Sequence, residues 1–289
     1  MAWSSPAGSP SRRARDGQSG IFAEAPEPGP TQRHPAGMQT TPSAAAASGT
    51  CARQSDQVTE LAGIHAADVQ MAIWHRPVDS VLRRFAANVL AARPVQQVLE
   101  VEVAELDRFD PLPASLHAAE PVAAELFAAD VRWLAGMFAE LVGASRLGVR
   151  LMRLEQAMCP RFHTDFVGVR LLTTYCGTGT EWLEDRDVDR RFLGHRSMDV
   201  PDDRSGLLRP GAAVQVVPEF AVALLKGEAW PGNLERGLVH RSPALAGTRR
   251  VLLSIDVLDQ AHGHHGFDTS GHGRPAPHDD CSPDCGGAR

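Results

Sequence analysis

The chain of 289 residues contains little lysine and cysteine, and each shortage excludes a class of protein. Lys226 is the single lysine, and the formal charge of -6 at pH 7 argues against the basic footprint of a nucleic-acid-binding protein. Five cysteines are too few and too scattered for a disulfide framework. No apolar run approaches the roughly 18 residues of a membrane-spanning helix. Met1–Gly20 lacks the apolar stretch of a secretory signal. We therefore expect a cytoplasmic protein that binds neither nucleic acid nor membrane.

Glycine, proline and small polar residues are concentrated at the two ends of the chain, so three regions are predicted. Residues 1–57 offer almost no periodic apolar positions, and we expect a disordered N-terminal tail. Residues 261–289 are rich in histidine, cysteine and glycine, and we expect a second disordered tail. Residues 58–260 carry the periodic apolar pattern of a single globular domain, which also contains the candidate metal ligands described below.

Helices are predicted early in this domain and strands later, which indicates an α+β fold. Asp79 is a candidate N-cap for a first helix, and Val122–Val142 is predicted to form a second helix that stops at Gly143. A strand is expected between them at Val95–Leu106. Short later strands separated by long loops favour a sandwich or open barrel, with the helices packed on its outside; these strands are expected near Leu147–Leu151, Val167–Tyr175, Val214–Val217, Phe220–Leu224 and Arg249–Val257.

The strongest candidate site begins with His163 and Asp165. Residues two apart on extended backbone point to the same side, so an imidazole and a carboxylate can reach one metal ion. A further histidine, His240, lies about 75 residues on, beside a β-rich segment, and Arg250 follows ten residues later. Two imidazoles and one carboxylate on one face leave three coordination positions open, which is the arrangement of non-haem iron oxygenases.

An arginine at the position of Arg250 suits a co-substrate with a free carboxylate, because its planar fork makes two parallel charge-assisted hydrogen bonds. In the iron oxygenases that use 2-oxoglutarate, a basic residue at about this distance from the second histidine holds the distal carboxylate. Arg249 faces the opposite side of the same predicted strand, so only one of the two can point inward. Tyr175, the only tyrosine, is a second candidate to bind the co-substrate, although core packing is the commoner role for such a residue.

Three alternatives remain open from the residues alone. The histidines could be hydrogen-bonded structural residues of an interaction module without a working site. A tetrahedral zinc centre could instead use Cys159, His163 and Cys176, completed by His195 or His240. The C-terminal tail could bind zinc or another transition metal by itself, as in a zinc-homeostasis protein, through His262, His264, His265, His272, His278, Cys281 and Cys285.

Four segments of the sequence together resemble a bacterial family known as domain of unknown function 1826. They are Cys159–Asp165, Arg170–Tyr175, Gly177–Leu183 and Gly237–Pro243, and the resemblance covers roughly residues 60–258. The chain departs from the family pattern at Thr178, where proline is expected. The resemblance implies little about activity, although members of the family are often associated with zinc-responsive genes.

The leading hypothesis combines the resemblance with the spacing of the candidate ligands. It is a metalloprotein with N-terminal helices on a jelly-roll-like (double-stranded β-helix) core. Its site would bind Fe(II) and 2-oxoglutarate as an oxygenase, with zinc as the alternative metal. No substrate or oligomeric state follows from the sequence.

Overall fold

The structure, a computed structural model, describes residues 51–194 and 200–258. Within them it contains ten β-strands and three α-helices, joined by loops and short 3-10 and π-helical turns. The strands are β1 (Cys51–Ser55), β2 (Val69–Trp74), β3 (Gln96–Glu102), β4 (Arg146–Leu154), β5 (Val169–Cys176), β6 (Glu181–Leu183), β7 (Gln215–Val216), β8 (Val222–Lys226), β9 (Val239–Arg241) and β10 (Arg250–Val257). The α-helices are α1 (Ser80–Phe85), α2 (Ala114–Ala119) and α3 (Pro121–Val142).

The ends of two helices follow local signals in the sequence. The Asp79 carboxylate accepts a hydrogen bond of 2.6 Å from the Val81 amide and so caps α1. At its other end α1 continues into a π-helical turn, Ala86–Leu90. Helix α3 ends at Gly143, whose φ of 68° is the left-handed conformation that glycine adopts without a steric penalty. Both predicted helix boundaries are therefore confirmed.

The strands form two sheets. The larger sheet has seven strands in the order β1-β2-β8-β5-β10-β4-β3, and the smaller has three in the order β7-β6-β9. Strands β1 and β2 pair in parallel, and the other pairs in both sheets are antiparallel. The prediction of a fold that mixes helices with a substantial sheet is confirmed.

The alternation of side chains along β10 decides which residues reach the candidate site. Val251, Leu253 and Ile255 are fully buried on one face, in the main hydrophobic core. Arg250 and Ser254 lie on the opposite face, because successive side chains of a strand point to opposite sides of the sheet. That face carries the polar residues of the site.

The main core lies on the first of these faces. Helical and strand residues share one buried cluster, in which aromatic side chains of α3 contact those of the sheet. The ring centroids of Phe127 and Tyr175, for example, are 4.7 Å apart. The helical members of the cluster are Leu82, Phe85, Leu116, Ala123, Ala124, Phe127, Val131, Leu134, Ala135, Phe138 and Ala139.

The strand predicted near Phe220–Leu224 is displaced by two residues to Val222–Lys226, and two other boundaries differ by more. Strand β1 precedes residue 58, so the structured part of the chain starts earlier than expected; backbone pairing with β2 orders this polar segment, and that pairing needs no apolar periodicity. Strand β3 ends at Glu102 rather than at Leu106, because its partner β4 begins at Arg146, the residue opposite Glu102. In the described ranges, no helix combines the length and apolar character needed to cross a membrane. Residues 1–50 of the predicted N-terminal tail, and the predicted C-terminal tail at residues 261–289, lie outside the described residues.

Candidate metal centre

The backbone places the two candidate histidines side by side. His163 and His240 form an isolated antiparallel bridge in which each amide donates to the other's carbonyl at 3.0 Å. On its other side His240 pairs with Trp182 of β6, so the edge of the small sheet fixes its position. Side chains of directly opposite residues lie on the same face of such a pair. The two imidazole rings accordingly lie together, with centroids 4.6 Å apart.

Asp165 completes a group of three. Its Oδ1 lies 3.4 Å from His163 Nε2, and its Oδ2 lies 3.4 Å from His240 Nε2. One ligand atom from each residue falls within 4.8 Å of the other two, so the group could hold a metal ion. Ligands bound at about 2.1 Å to one ion, at angles between octahedral and tetrahedral, are about 3.0–3.4 Å from each other. The distance from each imidazole to the nearer carboxylate oxygen therefore lies in the range expected for two ligands of one ion.

The outer nitrogens of both histidines are already used. His163 Nδ1 lies 2.9 Å from the Arg161 carbonyl oxygen, and His240 Nδ1 lies 3.0 Å from the Leu238 carbonyl oxygen. A carbonyl oxygen only accepts, so each Nδ1 carries a hydrogen and a neutral ring has its lone pair on Nε2. Two lone pairs then face the carboxylate of Asp165. Electron pairs that face each other repel, and a cation bound between them would remove this repulsion. Imidazole and carboxylate are common ligands of iron(II) and zinc.

Arg170 holds the Asp165 carboxylate in place and is itself held by Asp256. The sequence did not predict these two contacts. Arg170 on β5 donates to Asp165 and, through Nε at 2.6 Å and a terminal nitrogen at 3.1 Å, to both oxygens of Asp256 on β10. Burial alone would raise the pKa of Asp165, but the charge of Arg170, followed by that of His240, holds this pKa well below its usual value. Burial alone would lower the pKa of His163, but the protonated ring donates a hydrogen bond from Nε2 to Asp165, and this bond together with the charge of the carboxylate raises the pKa.

A close backbone contact holds the loop that carries Asp165. The Glu228 amide donates to the Asp165 carbonyl at 2.9 Å, and the Gly227 amide donates to the Gly168 carbonyl at the same distance. A Cβ at Gly227 would lie 2.2 Å from the Val167 carbonyl oxygen and 2.6 Å from that of Asp165. Only glycine permits this approach, so the loop after β8 positions the candidate ligand.

Asp202 connects the two segments that carry the histidines. Its carboxylate accepts hydrogen bonds from Arg161 Nε at 2.6 Å, from the Phe162 amide at 3.0 Å and from Arg241 at 3.1 Å. Arg161 and Phe162 directly precede His163 in the chain. The side chain of Asp202 is only 4% exposed, so water competes little for its carboxylate, and these charge-assisted hydrogen bonds hold the two segments together.

Arg250 lies in the same site and is almost fully buried, with 1% exposure. Its guanidinium donates to three hydroxyl groups of the described residues, namely Thr174 Oγ1 at 3.0 and 3.2 Å, Thr180 Oγ1 at 2.7 Å and Ser242 Oγ at 3.3 Å. No carboxylate of the described ranges forms an ion pair with it. Burial without such a partner lowers the pKa of Arg250 to about 10. Arg249, by contrast, is exposed, so the prediction that only one of the two arginines points inward is confirmed.

A small cavity joins Arg250 to the histidines. It has a volume of about 90 Å³ and is lined by His163, His240, Arg250, Thr180 and Ser242 among others. Pockets for drug-sized ligands occupy roughly 300–1,000 Å³, so this cavity suits only a small polar molecule.

The sequence matches the family described as "Protein of unknown function (DUF1826)" over residues 55–256. The chain belongs to the DUF1826 family. Its candidate ligands and Arg250 all lie inside the matched region. No curated protein matches the chain.

Solved structures similar to this DUF1826 protein include 2-oxoglutarate oxygenases. A dioxygenase for auxin oxidation from rice is 15% identical, over 72% of this chain and 82% of that chain, with a TM-score of 0.39. A Pseudomonas putida prolyl-4-hydroxylase is 12% identical, over 70% and 98%, with a TM-score of 0.36. A Burkholderia pseudomallei oxidoreductase of the 2OG-Fe(II) oxygenase family is 13% identical, over 72% and 94%, with a TM-score of 0.33.

Among the described residues, Cys159 and Cys176 are not brought together with the histidines of the candidate site. Cys159 lines the small cavity but is not part of the group of three ligands, and burial followed by the charge of Asp165 raises its thiol pKa, which disfavours the metal-binding thiolate. Cys176 packs against the main core instead, and burial also raises its pKa. The structure therefore does not assemble the predicted Cys159 and Cys176 zinc site. His195 and the tail ligands, His262 to Cys285, lie outside the described residues.

Tyr175 does not reach the site, contrary to its candidate role as a co-substrate ligand. Its ring lies in the main core, at right angles to Phe220, and its hydroxyl donates to Asp130 of α3 at 2.5 Å. The reason is strand alternation: Tyr175 is an odd number of residues from Arg170 and Thr174, which face the metal centre. Burial, followed by the charge of Asp130, raises the pKa of Tyr175 well above its usual value.

The position of Tyr175 gives a prediction that one absorbance measurement can check. Tyr175 is the only tyrosine, so the near-ultraviolet absorbance of tyrosinate reports this residue alone. We expect no ionisation in the folded protein as the pH passes about 10, the usual tyrosine value. A raised folded-state pKa means that the stabilisation is complete below about pH 10 and is lost as the pH rises towards the folded-state value. Tyr175→Phe should remove the signal, and a normal titration of the folded protein would contradict the burial.

Proposed function

We propose that this protein is an iron(II)-dependent oxygenase that uses 2-oxoglutarate as co-substrate. The observation that carries the proposal is Arg250, a buried cation without a carboxylate partner among the described residues, in the same cavity as His163 and His240. A buried charge is costly unless something pairs with it, so the site is suited to a ligand that brings an anion.

The other charges around the cavity support this assignment. The three further arginines of its lining already have carboxylate partners: Arg170 pairs with Asp165 and Asp256, Arg241 pairs with Glu181 and Asp202, and Arg150 lies 3.7 Å from Asp256. Arg250 is therefore available to a ligand. Its contacts to Thr174, Thr180 and Ser242 hold the guanidinium plane in place, and a fixed plane favours bidentate binding of a carboxylate.

A dicarboxylate with a 2-oxo group uses both parts of the site. His163, Asp165 and His240 would hold the iron, and Arg250 would hold the far carboxylate of 2-oxoglutarate. Bound iron(II) would supply dioxygen activation, with the balance 2-oxoglutarate + O2 + R–H giving succinate + CO2 + R–OH. The chain itself contributes orientation of the co-substrate, neutral Nε2 donors fixed by the Arg161 and Leu238 carbonyls, and a pocket in which Arg250 and His240 are buried.

Zinc is a weaker assignment for the same donor set. Two histidines and one carboxylate also form catalytic zinc sites. A zinc centre that activates water, or a structural one, gives Arg250 no anionic partner and leaves its burial unexplained.

As part of the proposal, we assign the seven-stranded and three-stranded sheets to the two layers of a jelly roll (double-stranded β-helix), with the metal centre between them.

The proposal is tested by co-substrate binding to the full chain under anaerobic conditions. Protein loaded with one equivalent of Fe(II) should bind 2-oxoglutarate and develop the weak visible charge-transfer band of an iron and keto-acid complex. The band should be absent with succinate, which lacks the 2-oxo group, and with the zinc-loaded protein, which has no such transition. Admission of air with ascorbate present should then convert 2-oxoglutarate to succinate and CO2 at a low rate even without a primary substrate, because ascorbate supplies the two electrons that oxidation of R–H otherwise provides.

His240→Ala serves as the matched negative control for this test. It should show neither band nor succinate, whereas Cys159→Ser, in the same cavity, should behave like the unmodified chain. Failure of Fe(II)-loaded protein to bind 2-oxoglutarate would reject the proposal, whatever metal the purified protein contains.

A further inference from the structure

A second, larger cavity borders the candidate metal centre. It has a volume of about 570 Å³, within the range of small-molecule pockets. His163 lines both this cavity and the smaller one that contains Arg250. A ligand in the larger cavity would therefore lie beside a candidate metal ligand and outside the proposed co-substrate pocket. Its charged and polar lining consists of Thr164, Arg190, Arg191, Glu228 and Glu235.

The charges of this lining are not balanced. Arg190 pairs with Asp185, and Arg191 pairs with Asp189, so both cations are matched inside the chain. Glu228 and Glu235 form no ion pair with any residue of the described ranges. Within residues 51–194 and 200–258, the cavity therefore presents two carboxylates without a paired cation.

Glu228 is held in a fixed position next to the metal centre. Its Oε1 accepts a hydrogen bond of 2.6 Å from Thr164 Oγ1, and its amide donates to the carbonyl of Asp165. A Cβ at Gly237 would lie 2.9 Å from Glu228 Cγ and 3.2 Å from Thr164 Cβ, so the absence of a side chain there leaves the space that Glu228 occupies. A partly buried carboxylate held in this way is set to pair with a cation that enters the cavity.

Glu235 adds a second carboxylate from the opposite end of the same loop. Its φ of 61° is a conformation that residues other than glycine seldom adopt, and it is fixed in a turn closed by the Arg236 amide and the Asn233 carbonyl at 2.9 Å. Unlike Glu228, Glu235 is exposed, so solvent screens its charge and we expect it to contribute less.

The geometry points to the larger cavity as the binding site for a substrate that carries a protonated primary amine, recognised by Glu228 and, more weakly, by Glu235. This inference rests on the proposed function, since it identifies the ligand beside His163 as the molecule to be oxidised. The chemistry is shared by a free small amine and by a lysine side chain of a peptide, and the test separates these two sources.

The experiment measures equilibrium binding of three probes to the full chain loaded with Fe(II) under anaerobic conditions, with and without 2-oxoglutarate. The probes are Nα-acetyl-lysine N-methylamide, the uncharged Nα-acetyl-norleucine N-methylamide, and 1,5-diaminopentane. We expect the lysine probe or the diamine to bind at least about tenfold more tightly than the norleucine probe, because a partly buried ion pair contributes more than an apolar contact of the same length. Preference for the diamine would indicate a small amine, and preference for the lysine probe a basic side chain.

Two variants connect the preference to the cavity. Glu228→Gln keeps the size of the side chain and its acceptor for Thr164, and should reduce the preference for the charged probe by about tenfold. Glu235→Gln should reduce it less, and Glu60→Gln, which removes an exposed charge that is not part of the cavity lining, should leave it unchanged. Glu60→Gln should also bind Fe(II) and 2-oxoglutarate as the unmodified chain does.

Equal affinity for the charged and uncharged probes, no binding of any probe, or a preference that survives the double change Glu228→Gln and Glu235→Gln would overturn the inference. Failure of the proposed function is seen separately, as loss of 2-oxoglutarate binding by the unmodified chain. Amine binding measured without 2-oxoglutarate does not depend on that result.

Discussion

Replacing Asp165 by alanine is expected to abolish the binding of one Fe(II) per chain. The carboxylate lies between two Nε2 atoms, each 3.4 Å away, so it supplies both a ligand and the negative charge that offsets the ion. Loss of a residue that only supports a ligand costs about 10–100-fold in metal affinity, and loss of the ligand itself should cost more. His163→Ala and His240→Ala should be equally severe. Asp165→Asn should also fail, because a neutral amide replaces the charge.

Cys159→Ser is the matched control for this series, since Cys159 lines the same cavity but is not in the group of three. It should bind Fe(II) within about twofold of the unmodified chain. The measurement is anaerobic titration of the full chain, with bound iron determined after removal of free metal. Iron held by other segments is common to all variants and cancels in the difference. Tolerance of Asp165→Ala together with loss of metal in Cys159→Ser would show that the metal is bound by sulfur.

The candidate ligands could be predicted for two reasons. His163 and Asp165 are close in sequence, and a further histidine completes the two-histidine, one-carboxylate set that binds iron. His163 and Asp165 are two residues apart on extended backbone, so their common direction follows from the period of a strand. Arg170 was not predicted, although it contacts Asp165, because its second partner, Asp256, is 86 residues away. That pairing depends on β5 and β10 being neighbours in the sheet, and the order of strands is not encoded in local periodicity.

Other errors have equally specific causes. The candidate role of Tyr175 as a co-substrate ligand depends on its being the only tyrosine, whereas parity along β5 from Arg170 places it on the opposite face, in the core packing that is the commoner role for such a residue. The strand Cys51–Ser55 is not predicted, because its residues are mostly polar and show no apolar periodicity. It forms by backbone pairing with β2, a contact that the local sequence does not reveal. The polar networks around Asp202 and Asp256 each join segments distant in sequence, so they become visible only in the folded chain.

Replacing Arg250 by methionine should give the opposite result from the Asp165 variant, with iron retained and 2-oxoglutarate lost. The guanidinium has no contact with the three candidate metal ligands, so one Fe(II) per chain should still bind. Removing one partner of a buried charge pair costs about 2–5 kcal/mol, which corresponds to a loss of at least about 30-fold in affinity for 2-oxoglutarate. Arg250→Lys should recover only part of this, because an ammonium group cannot make the bidentate contact.

The stability of the same variant separates a ligand-binding role from a structural one. Arg250 is buried without a carboxylate partner in the described chain, so its replacement by an apolar side chain relieves a desolvation cost and loses hydrogen bonds to Thr174, Thr180 and Ser242. These effects oppose each other, and the free energy of unfolding without ligand should change by less than about 2 kcal/mol. Added 2-oxoglutarate should raise the unfolding temperature of the Fe(II)-loaded unmodified chain and of the control Arg249→Ala, but not that of Arg250→Met. If Arg250→Met unfolds the protein while Arg250→Lys keeps full affinity for 2-oxoglutarate, the arginine is structural and the co-substrate binds elsewhere.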